Sequence, residues 1–218
     1  QKSPLERLLA TYKKRNTFNQ NYNVGLNWKP FKNWTFRSEF GYGWKYDNTD
    51  QVWASDAVQN SKLGYNGQPQ SVLTRDITKN WRNANTLTYD NKKLFDGRDK
   101  LNVLLGHEVS SSQETSLENT SVAFPGTMTI DEVLANMGAG TALPTQTTIS
   151  AKDNMLSFFG RVNYTLMDKY LLTVTVRADG SSKFAKGNQW GVFPSAALAW
   201  RLSDEAFMKG TQDWLSNL

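Results

Sequence analysis

The 218-residue chain has no cysteine and a single histidine, His107. The missing cysteines exclude disulfides, thiolate metal sites and thiol catalysis. With one histidine, too few good ligands remain for a zinc centre. No run approaches the ~20 apolar residues that a membrane-spanning helix needs, in a chain that is only 39% hydrophobic. That excludes a helical membrane protein. It does not exclude a β-barrel, whose strands carry one apolar face and read as hydrophilic on average. Concentrated charge is also missing. The net charge is +5, and Lys13-Lys14-Arg15 is the only basic triplet. A nucleic-acid surface carries a denser patch, so no nucleic-acid partner is expected. The chain opens on QKSPLERLL without an initiator Met and stops at WLSNL. It is therefore read as an internal piece, and targeting signals go unjudged.

What the chain has in quantity is aromatic residues, including 8 Trp and 8 Tyr, set in alternating segments. In FNQNYNVGLNW, Phe18, Gln20, Tyr22, Val24, Leu26 and Trp28 share one face of a strand, and Asn19, Asn21, Asn23, Gly25 and Asn27 share the other. In WTFRSEFGYGWKY, Trp34, Phe36, Phe40, Tyr42, Trp44 and Tyr46 oppose Thr35, Arg37, Glu39 and Lys45. Weaker alternation places Leu87 and Tyr89 together, then Leu101, Val103, Leu105, His107 and Val109. LSFFGRVNYTL and YLLTVTVRAD alternate again, with Arg161 and Arg177 on the polar parity. The spacing predicts seven strands, at about 17–28, 34–46, 81–91, 101–110, 155–166, 170–179 and 190–202.

The connections alternate in length. Short turns are expected at 29–33, 95–100 and 167–169, and long ones at about 47–80, 110–154 and 180–189. A soluble sandwich has no reason to keep that order, whereas an outer-membrane barrel has short periplasmic turns and long extracellular loops. Trp28, Trp34, Tyr164, Tyr170 and Trp200 adjoin short turns; Trp44, Tyr46, Trp81 and Trp190 adjoin long ones. Trp and Tyr favour the membrane–water boundary, so these residues read as two aromatic girdles. The fold class is accordingly all-β: an antiparallel transmembrane β-barrel segment of about seven strands, with short helices in its connections. Those helices are expected in SPLERLLATY, with Ser3, Pro4 and Glu6 at its start; in TIDEVLANMG, with Thr129 and Glu132 as capping box and Gly138 as stop; and in SDEAFMKG.

Little in the chain suggests covalent chemistry. His107 lies on an apolar parity without a placed partner, so it reads as packing rather than as a base. DGSSKFAKGNQWG is Gly-rich but lacks the order of a phosphate loop and precedes a strand. Asp131 and Glu132 suit a helix N-terminus. Trp53, Tyr65 and Phe124 read as loop packing, with sugar stacking as the functional option. No catalytic residue, cofactor or metal is expected. The lumen-facing candidates are Arg37, Glu39, Arg161 and Arg177.

Residues 156–210, LSFFGRVNYTLMDKYLLTVTVRADGSSKFAKGNQWGVFPSAALAWRLSDEAFMKG, resemble the SusC/RagA-type TonB-linked outer-membrane transporters of Bacteroidetes. LNVLLGHEVSSS (101–112) and residues 21–44 share the likeness, while 47–80 and 113–150 carry little of it. GNQWG (187–191) and ALAWR (197–201) stand where the family usually reads GNRWG and SLGWR. The resemblance implies a barrel of about 22 strands with an N-terminal plug. It also implies a SusD-like surface lipoprotein as partner and glycan or peptide import energised through TonB. The plug and the TonB-contacting region are expected outside this segment. Seven strands cannot close such a wall, and open edges are not tolerated in lipid.

The leading expectation is therefore a barrel-wall and extracellular-loop segment of an outer-membrane nutrient importer, bathed in outer-membrane lipid. A passive porin or barrel adhesin shares its strands, and a soluble all-β carbohydrate-binding module is the option from another class. The run Trp190–Ala197 holds no charge but contains Pro194, and a bulge is expected there. In the intact barrel, Val174→Arg on the apolar parity is expected to cost about 2–4 kcal/mol, whereas Thr175→Arg is tolerated. Outer-membrane yield of the two variants checks this, and equal yields contradict the face assignment.

Overall fold

The alternating segments form one antiparallel meander. The computed structural model describes residues 3, 5, 9–65, 67–95 and 97–211. The long strands are β1 (Thr11–Trp28), β2 (Trp34–Trp53), β3 (Gln70–Leu94) and β4 (Asp99–Val122). After two short strands, β5 (Thr141–Ala142) and β6 (Gln146–Ile149), come β7 (Asp153–Leu166), β8 (Tyr170–Ser181) and β9 (Trp190–Trp200). The sheet order is β1-β2-β3-β4-β7-β8-β9, with β5 and β6 paired to β4. Two compact units divide the chain. One takes in Gly43–Asn80, Ser112–Lys152 and the chain up to Asn21; the other takes in Tyr22–Tyr42, Trp81–Ser111 and the chain from Asp153.

In the first unit, strand replaces much of the expected loop. β2 runs on to Trp53, β3 starts at Gln70 and β4 runs on to Val122. The expected connections at 47–80 and 110–154 shrink to 54–69 and 123–140, each of which holds a short helix. Apart from a lone Ile77, the strand extensions (Asp47–Asp50, Thr74–Asn80, Ser110–Ser116) are polar on both parities, so no apolar alternation announces them. The return limb is also laddered. Thr115 to Glu118 pair with Ile149 to Gln146, and Ser121 and Val122 pair with Ala142 and Thr141. Between and beyond these pairs, Leu143 N–H donates to the Thr120 carbonyl and Ser150 N–H to the Glu114 carbonyl, both at 2.9 Å.

A small core closes this unit. Val52, Phe124 and Val133 are fully buried, with Tyr12, Met128, Ile130, Leu134 and Met137 packed against them. The helix Ile130–Ala135 supplies Val133. Its capping box is complete: Glu132 N–H donates to Thr129 Oγ1 at 3.3 Å, and Thr129 N–H donates to Glu132 Oε2 at 2.8 Å. The helix ends at Asn136 (φ −139°, ψ 77°), and the expected stop, Gly138, lies in a following 3₁₀ turn, Met137–Ala139. Asn136 already leaves helical geometry, so the glycine is not needed as terminator. A second short helix, Val58–Lys62, lies in the 54–69 connection. The two connections are tied where Phe124 N–H meets the Pro69 carbonyl at 3.3 Å. A Cβ on Gly126 would sit 2.5 Å from the Gly67 carbonyl oxygen, which is why that position tolerates no side chain. Of the first expected helix, Leu5 and Leu9 are helical, while Pro4 and Glu6 lie outside the described residues.

The second unit is sheet with tight turns. In the Leu166–Lys169 turn, Met167 and Asp168 both take positive φ (52° and 58°), the combination found in type I′ hairpin turns. Lys169 N–H closes it onto the Leu166 carbonyl at 3.0 Å, and Asp99 accepts Met167 N–H at 3.1 Å. The Tyr164 hydroxyl and that amide hold the Asp99 carboxyl below its ordinary value. Asn33, at φ 70°, ends the first turn, a conformation asparagine tolerates. Asp96 of the expected Asp96-Gly97 turn lies outside the described residues; Gly97 takes φ 84°.

Pro194 produces no bulge. The β8–β9 register runs unbroken from Tyr170↔Trp200 through Val176↔Pro194 to Gly180↔Trp190. β9 has β8 as its one neighbour in the sheet order, and a strand with one free side accommodates the missing N–H on that side. β9 ends at Trp200, two residues before the expected 202, and the expected helix over 203–210 is two 3₁₀ turns, Leu202–Asp204 and Ala206–Thr211. The interruption is Glu205, whose backbone is extended (φ −78°, ψ 147°). Its carboxylate accepts from the Tyr170 hydroxyl at 2.7 Å, Lys169 Nζ at 3.0 Å and Trp200 Nε1 at 3.2 Å.

Phe124→Ala empties the small core and is expected to cost about 3–5 kcal/mol locally. Limited proteolysis of the intact barrel should cut at 54–69 and 123–140 faster, with strand cleavage unchanged. The Tyr170 hydroxyl, the Lys169 ammonium and the Trp200 indole lower the Glu205 carboxyl from 4.5 to about 2. A depressed folded value means the stabilisation is complete above 4.5 and is lost as pH falls through about 2. An acid titration of tryptophan fluorescence should show that step, and Glu205→Gln should remove it.

Candidate functional site

Directly opposed residues of an antiparallel pair project to the same side of the sheet. The β7–β8 register sets Leu156, Phe158, Val162 and Tyr164 opposite Gly180, Ala178, Val174 and Leu172. The β8–β9 register adds Leu198, Pro194, Val192 and Trp190 to that side. The other side receives Phe159, Arg161 and Asn163 from β7, and Arg177, Thr175 and Thr173 opposite them from β8. Phe193, Ser195 and Ala197 of β9 complete it. One side is thus apolar throughout, and the other carries the polar groups, with Phe159, Phe193 and Ala197 among them.

Among the described residues, no buried core lies under the apolar side. Phe158 is 50% exposed, Val192 65% and Leu198 83%. Tyr22, Val24, Leu26 and Phe40, on the apolar parity of β1 and β2, are exposed as well. In water such a surface carries a large unfavourable hydration cost, about 25 cal/mol per Å², and apolar patches of this extent mark a membrane or protein contact.

The polar side is bonded internally. The Arg37 guanidinium donates to Glu39 on the same strand. Arg82 of β3 donates to Glu108 of β4 at 2.5 Å. Arg177 Nε donates to both carboxylate oxygens of Asp179, at 2.8 and 2.9 Å, and its guanidinium lies 5.3 Å from the centre of the Phe159 ring. The absence of a side chain at Gly106 makes room for that ring, since a Cβ there would meet Phe159 at 2.5 Å. Thr173 donates to Asn163, which donates to Asn102 at 3.3 Å, joining β8, β7 and β4. Arg161 is exposed and makes no hydrogen bond or ion pair among the described residues.

Arg37, Glu39, Arg161 and Arg177 therefore share a parity without forming one cluster. The first two bond each other, Arg177 is held by Asp179 and Phe159, and Arg161 is uncompensated. The sequence reading missed Arg82, Glu108 and Asp179. Their signal was available, because extending the alternation of WRNANTLTYD and LNVLLGHEV to the even positions puts Arg82 and Glu108 on the polar parity of adjacent strands.

A further polar centre lies in the first unit. Asp47 is buried and accepts from Arg15 at 2.6 Å, from Lys45 at 2.6 Å and from the Thr17 hydroxyl. Arg15, then Lys45 and Thr17, hold its carboxyl well below the ordinary carboxylate range. Ser116 donates to Asp76 at 2.5 Å nearby in the same unit. Phe124, an optional sugar-stacking ring, is wholly buried and cannot present a face to a ligand. Trp53 and Tyr65 are part-exposed.

The aromatic residues at the strand ends have partners. Trp34 lies 5.0 Å from Tyr89, and Tyr170 stacks on Trp200 at 6.1 Å. Tyr164 donates to Asp99. Trp190 stacks on Phe158, which also meets the His107 ring at 6.2 Å. Trp44 meets Phe18 edge-on. Trp28 and Trp81 are exposed, and Tyr46 is part-exposed. The His107 ring nitrogen lies 3.3 Å from the Asn85 amide, and among the described residues no carboxylate orients it, so nothing arms it as a base.

A family model described as TonB dependent receptor-like, beta-barrel, matches residues 3–211. TonB-dependent receptor P26 of Formosa agariphila is 30% identical over 90% of this chain and 19% of its own length. TonB-dependent receptor SusC of Bacteroides thetaiotaomicron is 50% identical over 29% of this chain and 6% of its own. Among solved structures, the RagAB peptide transporter aligns with a TM-score of 0.73 at 19% identity, covering 92% of this chain and 21% of that one. The RagAB peptide importer in its open-open state gives 0.75 at 18%, with the same coverage. These structural likenesses establish the fold. The chain spans about a fifth of the length of P26 and of the RagAB chain. With its strands, its two-sided sheet and the family match in agreement, the chain belongs to the TonB-dependent receptor β-barrel family.

Proposed function

We propose that this segment is barrel wall and outer loop of an outer-membrane nutrient importer that takes up glycans or peptides. The observation that carries the reading is the contrast between the sheet's sides: one apolar and exposed, the other polar and internally bonded. Lipid removes the cost of the first. A hydrated lumen suits the second, because the interior of such barrels is polar.

On this reading Arg37, Glu39, Arg161 and Arg177 face the lumen. Arg161, lacking a counter-ion, is the residue most open to a passing anionic group. Trp28, Trp34, Tyr164, Tyr170 and Trp200 mark one membrane boundary, and Trp44, Tyr46, Trp81 and Trp190 the other. The connections at 54–69, 123–140 and 182–189 face the outside, where they would meet substrate and a SusD-like lipoprotein. The SusC relative and the RagAB likeness support that partner and dependence on TonB, which would be engaged through a region outside this segment. The wall itself performs no bond chemistry. It binds, guides and seals.

Single cysteines at Ser182 and Asp168 in the intact barrel test the topology. A membrane-impermeant maleimide added to whole cells should label the first and not the second, and opening the periplasm should expose the second. Labelling of both from outside contradicts the reading.

A further inference from the structure

A cleft of about 970 Å³ lies between the 29–33 turn with the start of β2 and residues Asp90–Lys93 of β3. Four lysines line it, Lys29, Lys32, Lys92 and Lys93, against one carboxylate, Asp90. All four are exposed, and among the described residues none of their ammonium groups has a hydrogen-bond or ion-pair partner. What sets them apart is that all four line one cleft, whereas Lys45, Lys100, Lys169 and Lys183 each pair with an acid. Unpaired like charges held around one cleft repel one another, and an anion between them reverses the sign of the interaction.

The cleft's surroundings say which kind of anion. Trp34 forms part of its wall and rests on Tyr89 at 5.0 Å, and Phe31, another lining residue, is 74% exposed. Just beyond, Trp28 and Leu26 begin the exposed apolar side of β1. A free phosphate would use the ammonium groups and leave these rings in water. An amphiphile uses both, with its charged head among the lysines and its chains along the apolar side. Ammonium groups next to a membrane surface attract anionic lipid headgroups.

We infer that this cleft binds the headgroup phosphate of an anionic glycerophospholipid whose acyl chains lie on Leu26, Trp28 and Trp34. The inference rests on the apolar side facing lipid. It adds a fixed lipid site at the short-turn end of the wall.

The test uses the intact barrel, purified in detergent and loaded with phosphatidylglycerol, with bound lipid counted by native mass spectrometry. Combined Lys29→Gln, Lys32→Gln, Lys92→Gln and Lys93→Gln is expected to reduce phosphatidylglycerol affinity roughly tenfold or more. The four corresponding arginine substitutions should retain it, as should a control with Lys14, Lys62, Lys79 and Lys186 changed to Gln. Glycerol phosphate in excess should leave the lipid bound; full displacement by it would mean a phosphate site and overturn the lipid assignment. Equal retention by the two glutamine variants would also overturn it. Heat-modifiable gel migration, read on every variant, reports the barrel separately. Loss of lipid from a correctly migrating barrel therefore speaks to the cleft, and failure to insert speaks to the membrane reading.

Discussion

The backbone ladder between antiparallel strands is the constraint on which everything else in this chain rests. Side chains alternate with a period of two, so a slip of one residue would exchange the sheet's sides for a whole strand. From Tyr170↔Trp200 to Gly180↔Trp190 the register holds without a break. That continuity keeps Val174 beside Val162 and Ala196, and keeps Thr175 beside Arg161 and Ser195. It also explains how Pro194 is tolerated: the proline surrenders one donor at the free side of β9 and leaves the pairing with β8 intact.

How much of the fold was legible depended on whether the two sides of a strand meet different surroundings. Where they differ, as in YLLTVTVRAD, the apolar residues mark the strand and its parity plainly. Where both sides are polar, as in Asp47–Asp50 or Ser110–Ser116, the strand continues with nothing in the pattern to announce it. What holds those stretches is hydrogen bonding along the ladder, and every residue type except proline can take part in that. The Thr129 and Glu132 capping box was legible for a different reason, since it depends on two side chains three residues apart. The SDEAFMKG stretch misled because its best acid, Glu205, is claimed by Tyr170, Lys169 and Trp200, partners distant in sequence or outside the helical register.

The polar side shows a similar split. Arg37 and Glu39 stood out because they lie two apart on one strand. The alternation puts Arg82 and Glu108 on the polar parity of adjacent strands, but that they meet is settled only by the register between the strands. The Asp47 centre needed residues from two strands as well, and burial of its carboxylate has no counterpart in composition. Arg177 is held by Asp179 and Phe159, whereas the Arg161 guanidinium makes no hydrogen bond or ion pair among the described residues.

The strand order carries one more consequence, for the way the wall is built. Each long strand lies next to the one before it in the chain, with only β5 and β6 off the path. Contacts are therefore local in sequence, which lowers the entropy of closing each new loop and favours fast formation. Such a sheet can grow one hairpin at a time, with the newest strand's open edge as template for the next. The same open edge that lipid would penalise is, until the last strand arrives, the growing tip of the structure.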